Sequence, residues 1–211
     1  KLMAIWDIKE RYELARGSKY LSNVNGSGRI LYKYSSASNT GIQSLNITNG
    51  GTSTDFGEMT VDRGQTASMS STTRGVRANG SGPDSNVMDY VTISTEGNAA
   101  DFGDSTITVR DPNHGTIGNN TRGIRMGGAS PSKQNVIDFI TFVHTGNATD
   151  FGDATTTRRS SAGASSKTRG LSAGGAVAND TIDFITMATT GNATDFGNLT
   201  EDNYSLNGNS N

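Results

Sequence analysis

An aspartate followed by Phe-Gly recurs four times in this chain, at Asp55, Asp101, Asp150 and Asp195. An Asp-Phe-Gly carboxylate can hold magnesium for phosphoryl transfer, but that chemistry also needs a glycine-rich nucleotide loop and a His-Arg-Asp catalytic loop. The sequence contains neither. Around the third copy, Asn147, Asp150 and Asp153 offer oxygen donors that calcium could use. Calcium takes roughly six to eight oxygens, usually with several carboxylates, and this loop lacks the alternating acidic spacing of an EF-hand. No cofactor and no metal site are therefore expected, with calcium as the one alternative. His114 and His144 occupy different places in their surroundings and do not suggest a zinc pair. No nucleophile, base and acid can be assembled, and no two carboxylates stand out as a glycosidase pair. The expectation is a protein that is not an enzyme.

Four copies of one triplet at one period point to a building element. A second landmark falls at Arg29, Arg74, Arg122 and Arg169, ahead of the aspartates by 26, 27, 28 and 26 residues. These arginines could ring a central channel and bind anionic sugars or phosphate. Alternatively each bridges neighbouring units through carbonyls or the repeated Asp, a role that suits a planar group with five donors; we favour the bridge. Each repeated Asp is expected to accept from backbone N–H groups of its own turn. The glycine that follows it (Gly57, Gly103, Gly152 and Gly197) permits a positive φ. Phe56, Phe102, Phe151 and Phe196 are expected to be apolar plugs.

These landmarks belong to an internal repeat. The segment TGNATDFG occurs verbatim at 145–152 and 190–197, with weaker copies at 95–103 and 49–57. Within a unit, runs such as Ile182–Met187, Val87–Ile93, Val136–Val143 and the weaker Ile42–Ile47 are rich in β-branched and aromatic residues and bounded by turn formers, so they read as strands. Thr168–Ala173 reads as a shorter strand ending at the pair Gly174-Gly175, and Arg158–Ala164 as a third. No apolar stripe of helical period runs through the units.

The composition agrees with thin strands and tight turns. Hydrophobic residues are 32% of the 211, with 27 Gly, 3 Pro and no Cys. A disulfide framework and thiolate metal sites are excluded. A formal net charge of −2 and the lack of basic runs give no reason to expect nucleic acid. No stretch approaches the roughly 20 apolar residues of a membrane-spanning helix, so no membrane insertion is expected.

Three or four short antiparallel strands per unit of about 47 residues describe a propeller blade. The fold expected is all-β: a small β-propeller of four blades over 27–200, with units at about 27–72, 73–119, 120–167 and 168–200. The order Arg, strand, Gly-Gly, loop, apolar strand, Thr-rich turn, Asp-Leu-Thr resembles a kelch-type blade, with Phe standing near the place of the usual kelch Trp. The blocks IDFITMATTGNATDFGNLT and TRGxxxGG more closely resemble repeats of propeller-like structural proteins of tailed phages, especially marine and cyanobacterial ones. That resemblance implies a virion structural protein, a tail, neck or fibre component, with other virion proteins as partners, a homo-oligomeric state, and a role in assembly and host-surface attachment. A lectin-like module reading host glycans is the alternative, and a polysaccharide hydrolase is a third reading. Sugar platforms would come from Tyr20, Tyr32, Tyr34 and Tyr204, tyrosines outside the repeat strands.

The ends differ from the array. In 1–26, Ile5, Ile8, Tyr12 and Ala15 share one face of a possible helix, and Trp6 adds a large apolar side chain. This short helix or arm is either an assembly anchor or part of the first blade. The segment 201–211 is either a solvated tail or a strand that closes the ring.

Overall fold

A computed structural model describes residues 28–33, 40–48, 50–112, 117–176, 179–203 and 208. The described chain is all-β and contains no helix. Four antiparallel sheets form a propeller-like arrangement of four blades. The first blade contains β1 (Arg29–Lys33), β2 (Gly41–Asn46) and β3 (Thr54–Glu58). The second contains β4 (Ala67–Ser70), β5 (Arg74–Gly80), β6 (Ser85–Thr92) and β7 (Ala100–Val109). The third contains β8 (Ile117–Gly118), β9 (Arg122–Met126), β10 (Gln134–Thr141) and β11 (Thr149–Arg158). The fourth contains β12 (Ala162–Ser165), β13 (Arg169–Ala173), β14 (Thr181–Thr186) and β15 (Thr194–Asn198). Each sheet runs in sequence order, so every strand pairs with its chain neighbour.

The β-branched and aromatic runs became β2, β6, β10 and β14, because alternating side chains can be buried on a pleated surface. The sheets also fix the phase of the repeat. β4, β8 and β12 pair with the strands that follow them, whereas the sequence units place each at the end of the preceding unit. A periodic sequence sets the length of a unit but not its origin; the hydrogen-bond ladder sets the origin.

Each DFG segment starts or nearly starts the last strand of its blade, and its glycine sits at a register shift or next to one. Ile42 faces Gly57 just before such a shift, and Met88/Gly103, Ile137/Gly152 and Ile182/Gly197 repeat that arrangement. Their φ values of 145°, 136°, 143° and 137° lie where side chains are strained.

The apolar core lies between blades. Ile42, Phe56 and Met59 of the first blade meet Val91 of the second. Val76, Met88 and Phe102 of the second meet Ile140 and Phe142 of the third. Ile124, Ile137 and Phe151 of the third meet Ile185 and Met187 of the fourth. A blade of four short strands is too thin to bury both faces alone, so stacking supplies the core.

The N-terminal residues Ile5, Trp6, Ile8 and Tyr12, with the helix or arm expected over 1–26, lie outside the described residues, as do Tyr20, Tyr34, Tyr204 and His114.

Candidate functional site

The repeated residues converge on the joint between consecutive blades. In the first joint the amide of Gly97 donates to the carbonyl of Phe56 (2.8 Å), the amide of Ala99 to the carbonyl of Glu58 (2.7 Å), and the amide of Glu58 to Oδ1 of Asn98 (3.1 Å). The second joint repeats this with Gly146 to Phe102, Ala148 to Asp104, and Asp104 to Asn147, at 2.6, 2.8 and 3.0 Å. The third repeats it with Gly191 to Phe151, Ala193 to Asp153, and Asp153 to Asn192, at 2.7, 2.8 and 3.0 Å. The Gly-Asn-Ala turn of one blade is thus held by the DFG strand of the blade before it.

The approach demands glycine. A Cβ on Gly57, Gly103 or Gly152 would stand 2.2, 2.4 or 2.5 Å from the carbonyl oxygen of Gly97, Gly146 or Gly191. The aspartate serves its own turn at two copies, where Oδ1 of Asp101 and Asp195 accepts from the amides of Gly103 and Gly197. Asp55 and Asp150 are exposed at the same strand position.

The repeated arginines cross the same joints. Nη1 of Arg29 donates to the carbonyl of Ile93 (2.8 Å), that of Arg74 to Phe142 (2.6 Å), and that of Arg122 to Met187 (2.9 Å). Each acceptor belongs to the next blade. Arg74 also lies over Tyr90, and Arg122 over Phe139, at 4.7 and 4.6 Å from the ring centroids. Those rings in turn meet Phe102 and Phe151 edge to face. In the first blade Ser44 occupies the ring's position, and Arg29 lies over Phe56 instead.

A third device lies deeper and was not read from the sequence. Asp89, Asp138 and Asp183 occupy one position of the third strand in their blades and are buried. Each accepts from a threonine of the preceding blade, five residues after that blade's DFG aspartate: Thr60, Thr106 and Thr155. Each also pairs with one buried arginine: Arg63 to Asp89 at 2.6 Å, Arg125 to Asp138 at 2.8 Å, and Arg158 to Asp183 at 2.8 Å.

The arginine comes from two different places. Arg63 and Arg158 stand eight residues after Asp55 and Asp150, whereas Val109 holds that place after Asp101 and Arg125 on β9 replaces it. Where Arg158 is present, Ser172 holds the position equivalent to Arg125. Burial pushes the Asp89 carboxyl up and the Arg63 and Arg158 guanidinium groups down, and the pairing opposes each shift.

The fourth blade carries the first half of the Phe and Arg devices, and among the described residues nothing supplies the second half. Phe196 still meets Phe184 edge to face, and Arg169 still lies over Phe184. Phe196 is nevertheless 53% exposed, where Phe56, Phe102 and Phe151 are 2–3% exposed. The expectation that Phe196 is a buried plug is corrected here: burial of this side chain is conferred by the next blade, and among the described residues none follows. Gly197 has nothing within 4 Å of a Cβ position. At the other end, Thr52 and Gln43 of the first blade stand where later blades have Asn and Asp. Phe196 therefore stays open, and among the described residues no hydrogen bond joins the fourth blade to the first.

The oxygen proposed for calcium at Asn147 is occupied by the amide of Asp104. Among the described residues no three His, Cys, Asp or Glu side chains gather into a metal-binding group. A groove of about 470 Å³ lies beside β1, lined by Tyr32, Met69, Tyr90 and Val91. In the other three blades an inner strand pairs with the strand equivalent to β1; among the described residues none pairs with β1 on that side.

No protein-family model and no curated protein matches the chain. Among solved structures it is similar to one described as "Structure of YjhT", with a TM-score of 0.66 at 8% identity. The match covers 82% of this chain and spans 63% of the length of that structure. At that identity the likeness concerns the fold.

Proposed function

We propose that the protein is a non-catalytic structural component of a tailed-phage virion, of the tail, neck or a fibre, with its propeller used for assembly and attachment to the host surface. One observation carries the non-catalytic part. At each of the three joints the Phe-Gly pair and leading Arg of one blade engage the Gly-Asn-Ala turn and the third strand's end of the next. Such a chain repeats itself to build an array, and chemistry would need a set of residues that breaks the repeat. The virion assignment rests on the resemblance of the blocks IDFITMATTGNATDFGNLT and TRGxxxGG to phage structural repeats.

Mass spectrometry of purified particles, with antibody labelling in electron micrographs, tests this reading. Stoichiometric recovery of the chain from washed virions supports it; its presence only in infected-cell lysate contradicts it. A glycan-binding module is the second reading, favoured by Tyr32, which is half exposed beside Arg29 on the first blade. Binding of host-surface polysaccharide that is lost in Tyr32→Ala would select it.

A further inference from the structure

We propose that the outward edge of the fourth blade is a docking surface for a fifth blade of the same repeat type, one that presents an Asp on its third strand and a Gly-Asn-Ala turn. The inference deepens the assembly reading by naming the partner's chemistry. The surface is continuous in kind with three occupied interfaces. At each occupied joint a phenylalanine carbonyl, the strand residue after Gly, an arginine and a threonine reach the next blade. On the fourth blade their counterparts are Phe196, Asn198, Arg169 and Thr200, and no blade stands opposite them among the described residues.

The apolar part matches as well. Leu171 and Ile182 are only partly buried, while Ile124 and Ile137 in the same places of the third blade are fully buried by the fourth. Phe196 of the same blade is more than half exposed. Arg169 is exposed, whereas Arg29, Arg74 and Arg122 are partly buried by the blade they reach.

Two described residues after β15, Asn203 and Gly208, also lie where a chain entering such a slot would pass. The amide of Gly175 donates to the carbonyl of Asn203 at 2.9 Å, as that of Gly128 donates to Arg158 at 2.9 Å one blade earlier. Five residues on, a Cβ at Gly208 would stand 2.3 Å from the carbonyl oxygen of Gly163, so Gly208 rests against the inner strand β12. Counted from the DFG aspartates, Gly208 and Gly163 hold the same place, 208 − 195 and 163 − 150 both being 13. Residue 208 therefore lies beside its own counterpart one blade back, where the inner strand of a next blade belongs.

The first blade of a second copy is a poor occupant. Its turn offers Thr52 where Asn98, Asn147 and Asn192 accept, and Gln43 where Asp89, Asp138 and Asp183 accept. The length relation to the similar structure agrees: four blades span 63% of it, which leaves length for about two more of this size.

The test extends the full chain after Asn211 with a second copy of residues 167–203. This places a new Arg nineteen residues after Asp195, the spacing from Asp150 to Arg169. The probe is hydrogen exchange at the Asn198 amide. The proposal expects exchange to slow by about tenfold or more on extension. That protection should be lost when the copy's Asn192 and Asp183 counterparts become Ala and Asn. Thr200→Val should weaken it partially, and Gly197→Ala should abolish it. An unchanged exchange rate on extension, or protection indifferent to those changes, overturns the proposal. Concentration-dependent self-association of the unextended chain that protects Asn198 would overturn it too, by making a second copy the occupant. None of these outcomes depends on virion recovery, so this inference and the virion reading can fail separately.

Discussion

The amide of Gly191 donates to the carbonyl of Phe151 at 2.7 Å across the joint between the third and fourth blades, and an added Cβ on Gly152 would lie 2.5 Å from the oxygen of Gly191. A turn and a strand are thus held so close that a side chain on Gly152 would strike the turn's backbone. The same relation holds at the two earlier joints and is missing after the fourth blade.

Gly152→Ala should destabilise the protein by roughly 2–4 kcal/mol, because it adds a clash with backbone to the cost of placing alanine at φ 143°. Gly197→Ala has a similar φ and open space, so it should cost only about 1 kcal/mol. Urea unfolding of the two variants separates the clash from the strain; equal losses would mean that the close approach does not matter.

Phe151→Ala should cost about 3–5 kcal/mol, as the loss of a buried aromatic does. Phe196→Ala should cost below about 1 kcal/mol, since half of that side chain already meets water. Two residues in identical octapeptides would then differ severalfold in a thermal or urea midpoint. Equal effects would indicate that Phe196 is buried in solution.

Arg125→Ser leaves Asp138 buried without its arginine and should cost roughly 3–5 kcal/mol. Adding Val109→Arg supplies an arginine from the place that Arg158 uses toward Asp183, beside a serine equivalent to Ser172. The double variant should recover at least about half of the loss, measured as a coupling energy in a double-mutant cycle. Additive losses would contradict the equivalence of the two positions.

Thr106→Val removes a donor to Asp138 and should cost about 1 kcal/mol, whereas Thr200→Val should be neutral within about 0.5 kcal/mol. Calorimetry of the two variants checks the asymmetry; a comparable loss at Thr200 would show that it already has a partner.

Much of this architecture was legible in the sequence. The period, the third strands around Val87–Ile93 and Ile182–Met187, and the glycine pair all announce themselves through residue type at fixed intervals. The phase of the blades was hidden because β4, β8 and β12 are short and poor in large apolar residues. The exposure of Phe196 was hidden because its octapeptide is identical to that of Phe151, and only the presence of a following blade distinguishes them. The buried ion pairs were hidden for a different reason. Asp89, Asp138 and Asp183 recur, but the arginine paired with them comes from eight residues after a DFG aspartate at Arg63 and Arg158 and from a second strand at Arg125. A search for one repeated position passes over both.

The DFG strand and the Gly-Asn-Ala turn form the joint between blades. Native-state amide exchange tests it directly. Gly97, Gly146, Gly191, Ala99, Ala148 and Ala193 should exchange slowly as a group, because their amides donate across joints, while Gly51 and Asn198 should exchange nearly as fast as unprotected amides. Fast exchange at Gly191 and Ala193, or an Asn198 as slow as Asp153 in the unextended chain, would contradict the account.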